Sequence, residues 1–144
     1  QTNGGPLQDQ PFLYAWTRDM PYEVAQQLAN HFSQQYHIIQ ICRDERQALQ
    51  GVEVVREQMS NMELFGLLGM SQKRILIDSS LQHAAHAMGL KSTVLWIATY
   101  PAQFGYDTHD NIQATIPDTT KMPDSFFFNA NFNVIICFFF GVCY

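Results

Sequence analysis

An aspartate, two serines and a histidine lie close together in the segment Asp78-Ser79-Ser80-Leu81-Gln82-His83. Hydroxyl groups and free backbone N–H groups at the start of a helix suit a phosphate oxygen or a sugar hydroxyl. His83 falls within the first turn of such a helix and can face the same point. The same residue types also cap helices that bind nothing. The segment therefore predicts either a polar binding site or a plain helix cap, and both interpretations stay open.

Two weaker candidates stand nearer the N-terminus. Gly4-Gly5 follows a presumed strand and would let the backbone approach a diphosphate, although glycine pairs are also ordinary turn residues. Arg18, beside Trp16, could clamp a phosphate or a carboxylate, or form a salt bridge at the rim.

Metal and nucleophile chemistry find less support. His83 and His86 share a helix face at a spacing of three, but no third ligand follows, so no metal site is expected. Cys42, Cys137 and Cys143 have no local histidine partner, which argues against a thiol nucleophile. The chain contains neither a G-x-S-x-G motif nor a Walker loop.

The elements that position the central segment are a strand, a helix and a second strand. Arg74 to Ile77 is an apolar run typical of a buried parallel strand. A helical period follows and closes at Gly89, and Thr93 to Ile97 forms the returning strand. A βαβ unit places its ligand at the carboxyl ends of the strands, so Asp78 lies at one rim and Thr99 at the other.

The rest of the chain alternates in the same way. The predicted elements are a helix from Pro21 to about Gln34 with Asp19 as a candidate N-cap, strands at Tyr36–Cys42 and Val52–Val55, a helix through Met70 with Asn61 as its candidate N-cap and with Leu64, Phe65, Leu67 and Leu68 buried, and a strand at Ile112–Ile116. This order predicts an α/β fold with a doubly wound, mostly parallel Rossmann-like sheet.

Composition narrows the class of protein. The 144 residues suit one domain, and the net charge of −5 offers no basic field for nucleic acid. An odd number of cysteines favours a reduced, cytoplasmic setting. Residues 1–125 are expected to form the domain. Residues 126–144 are an apolar tail, expected to be truncated or non-native. Phe132 to Tyr144 is expected not to be an integral part of the core, and association with the inner face of a membrane stays open.

The central stretch I-D-S-S-L-Q-H-A-A-H-A-M-G-L-K-S-T-V-L-W resembles the D-S-G-x-x-H-x-A-A-A-L-G-x-P-x-V-x-L-F segment of heptosyltransferase-like glycosyltransferases of family nine. That segment lies in the C-terminal, donor-binding half of the two-domain GT-B fold. The resemblance implies that the chain to about Ile116 is this half and that the acceptor half is missing. Two departures stand out: Ser80 replaces a glycine, and Ile97-Ala98 replace Gly-Pro in the following loop.

The resemblance also implies residue roles. Asp78, Ser79 and His83 match the residues that contact the sugar and the diphosphate of a nucleotide-sugar, with Ser80 in the same motif. Thr2 corresponds loosely to hydroxyl residues near the diphosphate, Arg18 stands roughly where the family has a basic residue, and Thr99 matches the G-P-T-x-P loop.

These implications lead to one main hypothesis and two alternatives. The main hypothesis is the donor-binding half of a glycosyltransferase that moves a sugar from a nucleotide-sugar to a glycan or lipid-linked acceptor, without a metal cofactor and without activity when the acceptor half is absent. The first alternative is a non-catalytic α/β module that binds a nucleotide or a sugar. The second is a structural domain whose apolar tail docks on a partner or a membrane.

Overall fold

The computed structural model describes residues 1–3, 18–42, 47–56, 59–97 and 99–114. Within these ranges helices and short strands alternate along the chain. They are α1 (Tyr22–Phe32), β1 (Ile39–Ile41), β2 (Glu53–Val55), α2 (Asn61–Met70), β3 (Ile75–Ile77), α3 (Ser80–Ala87), β4 (Thr93–Trp96), α4 (Pro101–Phe104) and β5 (Asp110–Gln113).

The strands form two small parallel sheets, so the predicted α/β class is confirmed. Strands β1 and β2 pair with each other, and β3, β4 and β5 form a sheet in that order. Ile75 of β3 pairs with Thr93 of β4, and α3 connects the two strands. The two apolar runs and the helical period between them predicted a central βαβ unit, and the structure contains it.

Helices cover both faces of the three-stranded sheet, because successive strand residues point to opposite sides. Ile77 and Leu95 pack in one core cluster with Ala25 and Ala29 of α1. The other face belongs to a second cluster with α2 and α3, whose buried members are Leu68, Leu76, Leu81, Ala85, Val94 and Trp96. Burial on both faces explains why β3 and β4 read as continuous apolar runs.

Residues 1–3 connect the two sheets. The Gln1 amino group donates to the Ile75 carbonyl of β3 at 3.1 Å. On the other side, the Thr2 hydroxyl accepts from the amide nitrogen of Gln40 in β1 at 2.9 Å. The backbone N–H of Met20 donates to the Thr2 carbonyl at 2.8 Å, which brings the start of α1 to the same place.

Two predicted helix caps are wrong. The N-cap of α1 is Pro21 rather than Asp19, and no side chain caps this helix. The N-cap of α2 is Ser60 rather than Asn61, and Ser60 forms a capping box with Glu63. A serine followed three residues later by glutamate is the stronger start signal, because each residue satisfies a backbone donor of the other.

Other predicted elements differ in their limits or burial. Phe65 is 37 % exposed although burial was predicted, because α2 is apolar around most of its circumference and its sequence does not specify one buried stripe. The last strand among the described residues is β5 at Asp110–Gln113, which begins earlier than the predicted Ile112–Ile116.

Some predictions fall on other parts of the chain. The glycine pair Gly4-Gly5, the positions after Ala114 and the tail 126–144 lie outside the described residues. No helix within the described ranges is long and apolar enough to cross a membrane.

Candidate polar site at the start of helix α3

Asp78 and Ser79 follow β3 directly and precede the first turn of α3. Ser79 is the N-cap in an extended conformation, and its hydroxyl accepts from the backbone N–H of Leu81 at 3.4 Å. Ser80 is the first helical residue and is exposed. At the other end of α3, Gly89 adopts a φ of +68°, the left-handed conformation that closes a helix. A buried strand and a short capped helix thus hold this rim in place.

Asp78 is the most unusual side chain of the rim. It is only 7 % exposed, yet no described residue donates a hydrogen bond to its carboxylate or forms an ion pair with it. Buried charged groups normally have partners, because their desolvation is costly. The carboxylate therefore has hydrogen-bonding capacity that nothing in the described structure uses.

Ser79 and Thr2 are brought to the same rim by residues 1–3. The Ser79 hydroxyl donates to Oε1 of Gln1 at 2.6 Å. Thr2, the next residue, is buried and accepts from Gln40. The structure thus joins Ser79 of the central motif to a residue 78 positions earlier in the chain.

Arg18 and Thr99 are also without partners in the described structure. Arg18 is partly exposed, two residues before Met20, and it makes no hydrogen bond or ion pair with any described residue. Thr99 follows β4, and its hydroxyl oxygen is buried without a hydrogen-bond partner. Since both groups can donate, they can serve an anionic or hydroxyl-bearing ligand.

His83 contacts Tyr106, which lies between α4 and β5. Its Nδ1 lies 2.9 Å from the Tyr106 hydroxyl, and the two rings meet edge to face. His86 stacks on the other side of this contact, with its ring centroid 3.6 Å from that of Tyr106. Thr108 holds the Nδ1 of His86 at 2.9 Å. The two histidines thus form a surface cluster with the segment between α4 and β5.

Gln82 in the first turn of α3 is fully buried and connects this turn to distant parts of the chain. Its amide nitrogen donates to the Phe104 carbonyl at 3.1 Å. Its backbone carbonyl accepts from Nε2 of the buried His109 at 3.0 Å. These bonds connect the helix start to α4 and to the residue before β5, so the position of the rim depends on contacts 22 and 27 residues away in sequence.

Two glutamines near the rim were not singled out from the sequence. Gln40 is the one polar residue in the run Ile38-Ile39-Gln40-Ile41, and that interruption was a usable signal. Gln113 ends β5, where its amide nitrogen donates to the carbonyls of Trp96 and Ile97 at 3.2 Å each. Its partners come from another strand, so no local pattern could have indicated its role.

In a chain whose first residue is Gln1, the charge environment of the rim includes the amino group of Gln1. Burial lowers the pKa of this group from 8.0 to about 6, and the nearby Cys42 partly opposes that shift. Among the described residues, no group of three or more His, Cys, Asp or Glu side chains is arranged to hold a metal ion.

Comparison with known proteins adds no family to this description. No family model, curated protein or solved structure matches the chain.

Proposed function

We propose that this chain binds a nucleotide-sugar at the start of α3 and is the donor-binding half of a glycosyltransferase. The observation that carries the proposal is Asp78, a residue only 7 % exposed whose carboxylate has no partner among the described residues. Sugar hydroxyls are donors that a carboxylate accepts well, and hydrogen bonds to a charged group are stronger than those between neutral groups. A bound sugar hydroxyl would give the Asp78 carboxylate the partner that the described residues do not supply.

The arrangement of strands supports a ligand at this position. Residues 1–3 contact β1 on one side and β3 on the other, so we interpret the order across the molecule as β2, β1, residues 1–3, β3, β4, β5. This is the order of a doubly wound nucleotide-binding sheet, and it reverses direction between residues 1–3 and β3. Ligands of such sheets bind at that reversal, and Thr2 and Asp78 flank it.

Each rim residue has a role in the proposal. Asp78 orients the hydroxyls of the donor sugar. Ser79, Thr2 and Arg18 hold the diphosphate together with the N–H groups of the first turn of α3. A cation and a helix N-terminus can stabilise a departing diphosphate without a metal. Ser80 and Thr99 complete the rim, and contact of His83 with donor or phosphate stays a prediction from the resemblance.

The proposal is tested by calorimetry with ADP-glucose and UDP-glucose against ADP and UDP. We expect at least one nucleotide-sugar to bind in the micromolar to millimolar range. Asp78→Asn should weaken the nucleotide-sugar about ten-fold or more and the free nucleotide much less, since the lost bonds reach the sugar.

Asp110→Asn is the matched control. Asp110 is exposed and pairs with Lys91 at 2.8 Å, at the start of β5 rather than at the carboxyl ends of the strands. This variant should leave both affinities unchanged. Equal losses for nucleotide-sugar and nucleotide in Asp78→Asn, or no binding by the unmodified chain, contradict the proposal.

The second candidate function is a non-catalytic α/β module for a nucleotide or a sugar. Two motif residues already have partners within the chain, since Ser79 donates to Gln1 and His83 contacts Tyr106. Fewer groups of the motif are then left for the ligand, which favours binding without catalysis. The two functions differ in turnover. Slow hydrolysis of the bound nucleotide-sugar by a chain that includes an acceptor half supports the transferase, and tight binding without any hydrolysis supports the module.

A further inference from the structure

Gln40 is a buried glutamine at the centre of β1, 3 % exposed, and its side chain makes three hydrogen bonds. Its amide nitrogen donates to the Thr2 hydroxyl at 2.9 Å and to the Gln47 carbonyl at 2.9 Å. Its amide oxygen accepts from the backbone N–H of Leu49 at 2.8 Å. Both amide hydrogens are used, and neither amide atom lacks a partner.

The two backbone partners fix the orientation of this amide. A backbone N–H can only donate and a backbone carbonyl can only accept, so the oxygen must face Leu49 and the nitrogen must face Gln47. The nitrogen is therefore also the atom that meets Thr2. It follows that the Thr2 oxygen acts as an acceptor toward Gln40, and that its own hydrogen is left for another acceptor. No described residue supplies that acceptor.

We propose that Gln40 is a positioning residue that occupies one lone pair of the Thr2 oxygen, orients the Thr2 hydroxyl hydrogen toward the ligand, and so favours an acceptor oxygen at this point of the rim. The inference rests on the proposed function, in which Thr2 faces the diphosphate. A phosphate oxygen only accepts, and a bond from a hydroxyl to an anionic oxygen is short and strong. If the Thr2 hydroxyl instead accepted a hydrogen bond from the ligand, it would not select a phosphate oxygen at this point.

A purely structural role for Gln40 has a matched control in Gln26. Both glutamines hold the same turn, since Gln26 accepts from the Gln50 N–H at 2.9 Å and donates to the Gln50 carbonyl at 3.1 Å. None of the bonds of Gln26 reaches Thr2. Gln26→Leu therefore loosens the turn while leaving the polarity of Thr2 intact.

The experiment is a double-mutant cycle read by calorimetry. The variants are Gln40→Leu, Thr2→Val, the pair together, Thr2→Ser and Gln26→Leu. The probes are ADP against adenosine, UDP against uridine, and inorganic pyrophosphate alone. The measured quantity is the preference of each variant for the phosphate-bearing probe over its nucleoside.

Thr2→Val should reduce this preference about ten-fold or more, because it removes a bond to a charged group. Thr2→Ser should restore it. Gln40→Leu should reduce it several-fold in the unmodified chain and not at all in the Thr2→Val background, because its effect passes through Thr2. Gln26→Leu should leave it unchanged.

The cycle separates this inference from the proposed function. If pyrophosphate binds with the expected dependence on Gln40 and Thr2 while Asp78→Asn fails to discriminate sugar, the assignment of Gln40 stands and the glycosyltransferase proposal falls. The assignment of Gln40 is overturned if Gln40→Leu reduces the phosphate preference as much in the Thr2→Val background as in the unmodified chain. It is also overturned if Gln26→Leu reduces the phosphate preference as much as Gln40→Leu does. Absence of binding by every phosphate probe overturns it as well.

A reversal of polarity adds an independent variant. In Gln40→Glu the side chain has no hydrogen to donate, so the Thr2 hydroxyl would donate to it and leave the ligand. Phosphate preference should fall at least as far as in Thr2→Val. Circular dichroism would show whether Gln40→Glu folds. If it does not, the double-mutant cycle of Gln40→Leu and Thr2→Val decides whether Gln40 acts through Thr2.

Discussion

Helices α2 and α3 begin with the same capping pattern, yet their N-termini differ. Each starts at a serine with a glutamate or glutamine three residues later, Ser60 with Glu63 and Ser79 with Gln82. In α2 the carboxylate of Glu63 returns to accept from the Ser60 N–H at 2.7 Å, which closes the box at an exposed surface. In α3 the side chain of Gln82 turns inward to Phe104 instead.

This difference has a consequence for the residue just before the cap. Because Gln82 does not complete the box, the only side-chain cap of the first turn of α3 among the described residues is the 3.4 Å bond from the Leu81 N–H to the Ser79 hydroxyl, and this turn follows Asp78, whose carboxylate has no described partner. The closed terminus of α2 contributes to stability. The open terminus of α3 instead lacks the second half of the box and follows a carboxylate without a described partner, an arrangement that suits a hydroxyl-bearing ligand.

The largest expected effect concerns residues 1–3, which support the open terminus. Burial lowers the pKa of the Gln1 amino group from 8.0 to about 6. Between these values the unfolded chain binds the proton and the folded chain does not, so the free energy of unfolding should fall by about 3 kcal/mol as the pH drops from 8 to 6. Above pH 8 both states are neutral, and the full stability is present.

Urea unfolding between pH 8.5 and pH 5.5 measures this effect in a chain that begins at Gln1. An N-acetylated chain retains the N–H donor for Ile75 but no titrating amine, so it should lack the loss between pH 8 and 6. Equal losses in the two chains would mean that another group is responsible.

Removing the charge of Asp78 should act on stability in the opposite direction to most core substitutions. Asp78→Asn relieves a buried carboxylate without described partners, so the free energy of unfolding should rise by about 1 to 2 kcal/mol at pH 7. Glu63→Gln at the start of α2 should instead lower the free energy of unfolding. If Asp78→Asn destabilises the chain, the carboxylate has an internal structural role and the account of the open terminus is wrong.

Breaking the closed terminus should cost about 1 kcal/mol of stability without any change in ligand binding. Ser60→Ala removes the cap of α2, and loss of a serine N-cap typically has this magnitude. Thermal unfolding and calorimetry with ADP would be measured on the same preparation. A loss of ADP affinity in this variant would show that α2 and the rim are coupled.

The smallest effect is the pH dependence of the α2 cap. The side-chain and backbone bonds to Ser60 lower the pKa of Glu63 from its ordinary 4.5. The capping box therefore contributes its stability above that value, and the contribution is lost as the pH falls through the lower folded pKa. The stability difference between the unmodified chain and Glu63→Gln should shrink below pH 4.5, and a constant difference down to pH 2 would contradict the assignment.

The sequence predicted the centre of the fold well because its signals are local. The apolar run before Asp78, the serine cap and the left-handed Gly89 specify β3, α3 and the return to β4 without distant partners. The caps of α1 and α2 were misplaced by two residues and one residue, because several polar residues precede each helix. The exposure of Phe65 depends on which neighbours cover α2, and its own apolar sequence does not specify them.

The candidate site was predictable only in part, for the same reason. Asp78 and Ser79 stand where a strand meets a helix, which the sequence shows. The bond between Gln40 and Thr2 spans 38 positions, and the contact of His83 with Tyr106 spans 23. The type and spacing of residues cannot indicate such pairings, so neither the bond from Gln40 to Thr2 nor the contact of His83 with Tyr106 was predicted.

The most direct test of the central claim is an NMR titration of the ¹⁵N-labelled chain with ADP-glucose and UDP-glucose. The account predicts that the largest amide shifts occur at Thr2 and at Ser80 and Leu81 in the first turn of α3, while Asn61 and Met62 at the start of α2 stay unchanged. Shifts of equal size at both helix starts, or shifts that avoid the start of α3, would contradict it.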